Sequence, residues 1–177
     1  MVLSFNKFTQ TICSVQTDIS KELLHKIKNI KLKEGETQST NYGSITLLDD
    51  AVYQEAFNYL KTYLLQIMRY YKYSSYRLIN YWSQSYNHHE YHELHTHNMA
   101  ANHFSCILYI QCDKDSAPTR FHPPGYPYIF STEPIDLLPE VGRLVVFPGY
   151  IPHAVLPNKD NIRLIISANL EGLKDGI

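Results

Sequence analysis

Residues 92–110 read HELHTHNMAANHFSCILYI, and they carry four of the chain's nine histidines, His92, His95, His97 and His103, before turning into an apolar run. That run, HFSCILYIQ at 103–111, is rich in β-branched and aromatic side chains, the composition of a strand. It is one of a series. From Tyr76 onward the same texture recurs as YRLINYW (76–82), YPYIFS (126–131), GRLVVFP (142–148), HAVLP (153–157) and IRLIISANL (162–170), punctuated by Pro, Gly, Asn and Asp. Six short strands with such punctuation predict an all-β sandwich or barrel.

The segment before the strands has a different period. Ile19, Leu23, Ile27 and Ile30 follow Asp18 at helical spacing, which predicts an amphipathic helix with Asp18 as its N-cap. KLKEGETQST (31–40) reads as a polar loop. A longer helix is predicted after Asp49 and Asp50, with Tyr53, Phe57, Leu60, Leu64, Ile67 or Met68, and Tyr71 along one side as core residues. The expected organisation is one domain over 1–177, with a helical support region at 1–75 and a β core at 76–170.

Bulk composition narrows the function classes. Sixteen Lys and Arg against seventeen Asp and Glu give a net charge of -1, with no basic stripe to track phosphates, so no nucleic-acid partner is expected. MVLSFNKFTQ lacks the basic and apolar regions of a secretory leader, and no stretch approaches the ~20 apolar residues that span a bilayer. The expectation is a cytoplasmic protein. Cys13, Cys106 and Cys112 are odd in number and read as reduced thiols. Abundant Tyr, Asn, Ile and Lys suggest AT-rich coding, as in a phage, whose product would work in the host cytoplasm.

Side chains at i and i+2 of a strand share a face, so His95 and His97 are expected to project together and chelate one metal. A helical zinc site needs histidines four apart with a glutamate between, which neither HEYH nor HELH provides. His153, delivered by the Pro148-Gly149 turn, is the candidate third ligand. His88 with Glu90 forms an alternative H-x-E pair; His89 and His92 read as solvated loop residues, and His103 and His122 as structural or rim residues. On the last strand, Arg163, Ile165, Ser167 and Asn169 form an inward-facing series. An arginine heading an apolar strand is costly to bury without an anion, and a dicarboxylate would supply one.

Taken together, the His pair, the LY of CILYI (106–110), the G-x-L-x-x-F strand at 142–147, His153 and Arg163 ten residues later resemble the prolyl-4-hydroxylase-like Fe(II)/2-oxoglutarate-dependent oxygenases. The nearest pattern is that of small phage and bacterial members with H-x-H, a Ser-containing strand ending in Tyr, FP…H and R-x-x-x-S. The resemblance covers about residues 78–170. It implies a double-stranded β-helix, a jelly-roll or cupin-like barrel, with two supporting α-helices. It implies Fe(II), 2-oxoglutarate and O2 as cofactors and co-substrates, with His95, His97 and His153 on the metal. Arg163 and Tyr109 would hold the far carboxylate, Ser167 and Asn169 would face the co-substrate, and Trp82 would line the entrance. His97 stands where the usual facial triad has a carboxylate, giving a three-histidine centre. The implied activity is hydroxylation of a peptidyl side chain or small molecule with release of succinate and CO2.

Two other readings stay open from the residues alone. One is a cupin-type metalloprotein, although NMAAN at 98–102 lacks the expected glutamate. The other is a non-catalytic metal-binding barrel. Only the oxygenase gives Arg163 a ligand. The loop at 113–132 is expected to border the mouth and set specificity, and an exposed edge strand to offer a homodimer contact.

Overall fold

The computed structural model describes residues 11–30, 37–40, 43–47, 51–122, 133–159 and 161–174. The expected strand YPYIFS and half of the expected mouth loop, residues 123–132, fall outside them. Among the described residues there are two helices, α1 at Lys21–Lys28 and α2 at Ala51–Tyr70.

The cap of α1 is Ser20, not Asp18: the Ser20 hydroxyl accepts from the Leu23 amide at 3.1 Å, satisfying an N–H of the first turn. Asp18 lies two residues too early for that role. Its carboxylate instead accepts from the Tyr59 and Tyr63 hydroxyls of α2, tying the chain entering α1 to the longer helix. Helix α2 buries Tyr53, Phe57, Leu60, Leu64, Ile67 and Met68, the stripe expected from its periodicity. It ends where Lys72 takes a left-handed φ of 69° and the Tyr73 amide bonds back to the Met68 carbonyl at 2.9 Å.

The strands are β1 (Cys13–Gln16), β2 (Thr37–Thr40), β3 (Gly43–Leu47), β4 (Ser75–Tyr86), β5 (His92–His95), β6 (His103–Gln111), β7 (Thr119–Phe121), β8 (Ile135–Leu137), β9 (Arg143–Pro148), β10 (His153–Val155) and β11 (Arg163–Leu173). Among the described residues, they form a major sheet in the order β1-β9-β6-β11-β4-β3-β2 and a minor sheet in the order β5-β10-β7-β8. All pairings are antiparallel. This is the expected double-stranded β-helix with two helices. The region before residue 75 is not purely helical, because β1, β2 and β3 belong to the major sheet, and Thr37–Thr40 is a strand where a loop was expected. Its Thr and Ser residues gain a ladder partner in β3 that local sequence does not reveal.

Strand periodicity divides the core into two layers. On one face of the major sheet, Phe104, Cys106, Leu108, Ile110, Leu144, Val146, Ile166, Ala168 and Leu170 pack with the stripes of α1 and α2. On the other face, Ile107, Tyr109, Val145, Phe147 and Ile165 pack toward the minor sheet, against Phe121, Ile151 and Val155. Strands β6, β9 and β11 are therefore buried on both faces, which explains their continuous apolar runs. Helices thus close one side of the major sheet, and the opposite side becomes the floor of a site. No described helix is long and apolar enough to cross a membrane.

Candidate metal centre and anion pocket

His95 and His153 face each other in the β5–β10 ladder, with ring centres 4.2 Å apart. The expected strand geometry of the H-x-H pair is modified. Strand β5 ends at His95, and His97 lies just beyond it, held by a hydrogen bond from its amide to the Gly149 carbonyl at 2.8 Å. The result is still a cluster: His97 stands 5.2 Å from His95 and 5.1 Å from His153, centre to centre. One ring nitrogen from each of the three lies within 4.8 Å of the others, close enough to hold one metal ion.

The backbone sets which nitrogen faces the metal position. His95 Nδ1 lies 2.7 Å from the Glu93 carbonyl and His153 Nδ1 2.9 Å from the Ile151 carbonyl. A carbonyl can only accept, so both Nδ1 atoms carry the proton and both Nε2 lone pairs are left for a ligand, the outer contact typical of metal-binding imidazoles. Burial pushes His97 down to about 4 and holds His95 and His153 below the ordinary histidine range, so all three are neutral at neutral pH. Three neutral imidazoles on one side of an open space suit a first-row transition metal such as Fe(II).

Gly149 makes the arrangement possible. It donates to the His103 carbonyl at 2.9 Å while receiving the His97 amide, and a Cβ there would come within 2.7 Å of the Asn98 carbonyl oxygen. Only a residue without a side chain lets the His97 loop lie this close to the turn that delivers His153.

His92 is not a solvated loop residue. Its ring stacks on His95 at 4.0 Å and 15°, and its Nδ1 meets Gln84 Nε2 at 3.2 Å and the Tyr86 hydroxyl at 3.3 Å. Burial, then the neighbouring histidines, drive it down to about 3. His88 and Glu90 form no part of the cluster: His88 is exposed, and the Glu90 carboxylate accepts from the Asn87 amide at 2.6 Å.

The histidines line an open cavity. Trp82, Gln84 and Tyr86 from β4, Ser105 and Ile107 from β6, and Ile165 and Ser167 from β11 form much of its wall. The Trp82 ring lies 5.9 Å from the His97 ring, centre to centre. Asn169, by contrast, is not a wall residue: it accepts from the Ser105 hydroxyl at 2.8 Å and donates to Asn80 at 2.9 Å.

Arg163 has no exposed surface. Its guanidinium carbon lies 4.9 Å from the ring centre of Tyr86 and 5.2 Å from that of Tyr109. Nη2 donates to the Thr119 hydroxyl at 2.8 Å, and that hydroxyl is 2.7 Å from the Tyr109 hydroxyl. Arg163 Nε and Nη1 have no hydrogen-bond partner among the described residues, and none of the ion pairs found there involves it. A buried guanidinium with two unused N–H groups suits a carboxylate, because leaving both the charge and the donors uncompensated is costly. The chain Arg163, Tyr86, His92, His95 links this pocket to the histidine cluster through ring contacts and one hydrogen bond.

Thr119, Tyr86 and Gln84 have no signal of their own in the sequence, and His92 has only that of a loop histidine. The β4 residues were within reach, since Trp82, Gln84 and Tyr86 share one strand face and Trp82 was identified. Thr119 sits in a three-residue strand too short to show a period.

The family model described as "Putative 2OG-Fe(II) oxygenase" matches residues 80–169, just over half the chain. No curated protein sequence matches. Among solved structures, the fold is similar to the viral collagen prolyl hydroxylase vCPH of Paramecium Bursaria Chlorella virus-1 in complex with 2OG. The TM-score is 0.66 at 14% identity, over 92% of this chain and 96% of that one. It is also similar to a Pseudomonas putida prolyl-4-hydroxylase, with a TM-score of 0.61 at 15% identity over 95% of each chain. HygX from Streptomyces hygroscopicus, solved with nickel, 2-oxoglutarate and hygromycin B, gives a TM-score of 0.69 at 8% identity, over 93% of this chain and 84% of that one.

Proposed function

The chain belongs to the 2OG-Fe(II) oxygenase family, and from that premise we propose that His95, His97 and His153 hold the iron while Arg163 holds the far carboxylate of 2-oxoglutarate. The protein is an Fe(II)- and 2-oxoglutarate-dependent oxygenase. The observation that carries the assignment of residues is the pairing of two incomplete sites: a triad of neutral imidazoles and, packed against Tyr86 of the same cavity's wall, a buried arginine with two unused N–H groups.

Bound together, iron and 2-oxoglutarate supply an oxidation in which O2 and 2-oxoglutarate are converted to succinate and CO2 while a substrate C–H becomes C–OH. The residues perform the rest. The Glu93 and Ile151 carbonyls fix the proton on Nδ1 of His95 and His153 and so aim Nε2 inward. Arg163 would donate to the carboxylate from the N–H groups that its neighbours leave unused, and its Nη2 bond to Thr119 fixes the plane of the guanidinium. Tyr86 and Tyr109 flank the guanidinium and exclude water from it, which strengthens the ion pair. Tyr109 acts through Thr119, orienting the hydroxyl that Arg163 uses. Ser167 lines the cavity and would face 2-oxoglutarate there, and Asn169 holds the Ser105 hydroxyl on the same wall.

The primary substrate, a peptidyl side chain or a small organic molecule, enters past Trp82 and is hydroxylated. The assignment is tested by reconstituting the apo chain with Fe(II) without O2 and measuring bound metal after gel filtration. Wild type is expected to hold one iron per chain, and His95→Ala and His153→Ala far less. Full occupancy in both folded variants would overturn it.

A further inference from the structure

Asn158 is 1% exposed and lies outside the cavity wall, yet its side chain reaches three segments. Its Nδ2 donates to the Tyr86 carbonyl at 2.9 Å and to the Asn161 carbonyl, and its Oδ1 accepts from the Ala117 amide at 2.9 Å. Each partner is a component of the anion pocket or stands two residues from one. Tyr86 itself flanks the guanidinium; Ala117 precedes Thr119 by two residues, and Asn161 precedes Arg163 by two. These three segments come from different places: the end of β4, the entry to β7 in the other sheet and the entry to β11.

The backbone of Asn158 adds a fourth attachment. Its amide donates to the Glu90 carbonyl at 2.9 Å and its carbonyl accepts from the His89 amide at 2.8 Å, joining it to the turn that leads into β5. The adjoining loop is pinned as well: the Asn161 side chain donates to Asp113, whose carboxylate also accepts from the Asp115 amide at 2.9 Å.

We propose that Asn158 is the positioning residue of the carboxylate pocket, setting the separation of Tyr86, Thr119 and Arg163 on which recognition of the 2-oxoglutarate far carboxylate depends. The inference rests on the assignment of Arg163 made above. An amide is the group the position needs, because it offers two donor hydrogens and an acceptor in one small plane. Aspartate cannot donate to the two carbonyls, and alanine reaches none of the three segments. Holding Arg163 and Thr119 in register matters because a bidentate contact is lost with small displacements.

A purely structural role would weaken every ligand alike, so the test compares two. Pyruvate carries the same 2-oxo acid end as 2-oxoglutarate but lacks the far carboxylate. Calorimetric titration of Mn(II)-loaded chain with each gives a preference ratio that reports on the pocket and does not require turnover. Wild type is expected to prefer 2-oxoglutarate, and Arg163→Met to lose that preference. Asn158→Ala is expected to reduce the ratio by about tenfold or more, with pyruvate affinity within about twofold of wild type. Asn158→Asp, which keeps the acceptor for Ala117, serves as a second, nearly isosteric variant and should reduce it as well.

A ratio lost in Arg163→Met and intact in either folded Asn158 variant overturns this inference alone. A fall in both affinities together, or failure of both variants to fold by circular dichroism, also overturns it, by making Asn158 a residue of the fold only. Absence of any preference in wild type removes the Arg163 assignment and this inference with it.

Discussion

His95 and His153 are paired across the β5–β10 ladder with their rings 4.2 Å apart, each with its Nδ1 proton given to a carbonyl two residues earlier in its own chain. The same local device at both residues leaves two Nε2 atoms free for the metal proposed above. His97 completes the set from outside the strand, and its replacement is the most informative one. His97→Ala should lose most bound iron. His97→Asp should retain it, because a carboxylate at that place restores the two-histidine, one-carboxylate arrangement. Metal analysis after anaerobic reconstitution checks both; full retention by His97→Ala would remove His97 from the centre.

Gly149→Ala places a methyl group 2.7 Å from the Asn98 carbonyl, so the His97 loop must move. The expected cost is about 1–3 kcal/mol in urea unfolding, typical of overpacking against backbone. Iron affinity should fall beyond what stability alone explains, since the displaced segment carries a ligand. Unchanged metal binding would show that the Gly149 contact does not set His97.

Leu64→Ala offers the opposite dissociation. Leu64 is fully buried between α2 and the major sheet, on the face away from the cavity. Truncation should cost about 2–5 kcal/mol. Metal stoichiometry and the preference for 2-oxoglutarate over pyruvate should remain those of wild type, provided the measurement is made where the variant is folded. A loss of that preference would show that the two core layers are coupled.

Burial pushes the Cys106 thiol up to about 12. Raising the folded pKa of an acid favours its neutral form, so at any pH below that value the native thiol stays protonated and inert. Stability from this source is full at neutral pH and declines only as pH rises through the unfolded thiol range toward the folded value. Maleimide labelling at pH 8 should therefore spare Cys106 in the native chain and reach it on denaturation, while the half-buried Cys13 and Cys112 react first. Rapid native labelling of Cys106 would contradict its place in the core.

The parts of the fold legible in the sequence were those with a strong period. The α2 stripe and the two-faced runs of β6, β9 and β11 follow from residue type alone, and the convergence of His95, His97 and His153 followed from reading separate strands as one barrel. What escaped depends on partners distant in the chain. Thr37–Thr40 is polar and becomes a strand only by pairing with β3. His92 looks like a loop histidine until Gln84 and Tyr86 arrive from β4. Ser20 displaced Asp18 as the cap because two tyrosines forty residues later claim that carboxylate. Asn169 matched a sequence position, but its amide is used by Ser105 and Asn80.

The central claim is that the three histidines hold the iron and that Arg163 binds the far carboxylate of the same 2-oxoglutarate. Titrating the anaerobic Fe(II)-loaded chain with 2-oxoglutarate while recording the visible metal-to-ligand charge-transfer band tests both halves in a single measurement. The band should appear and saturate in wild type, and in Arg163→Met half-saturation should require about tenfold more 2-oxoglutarate or greater. Iron bound without any band, or the same titration curve in both proteins, would contradict the account.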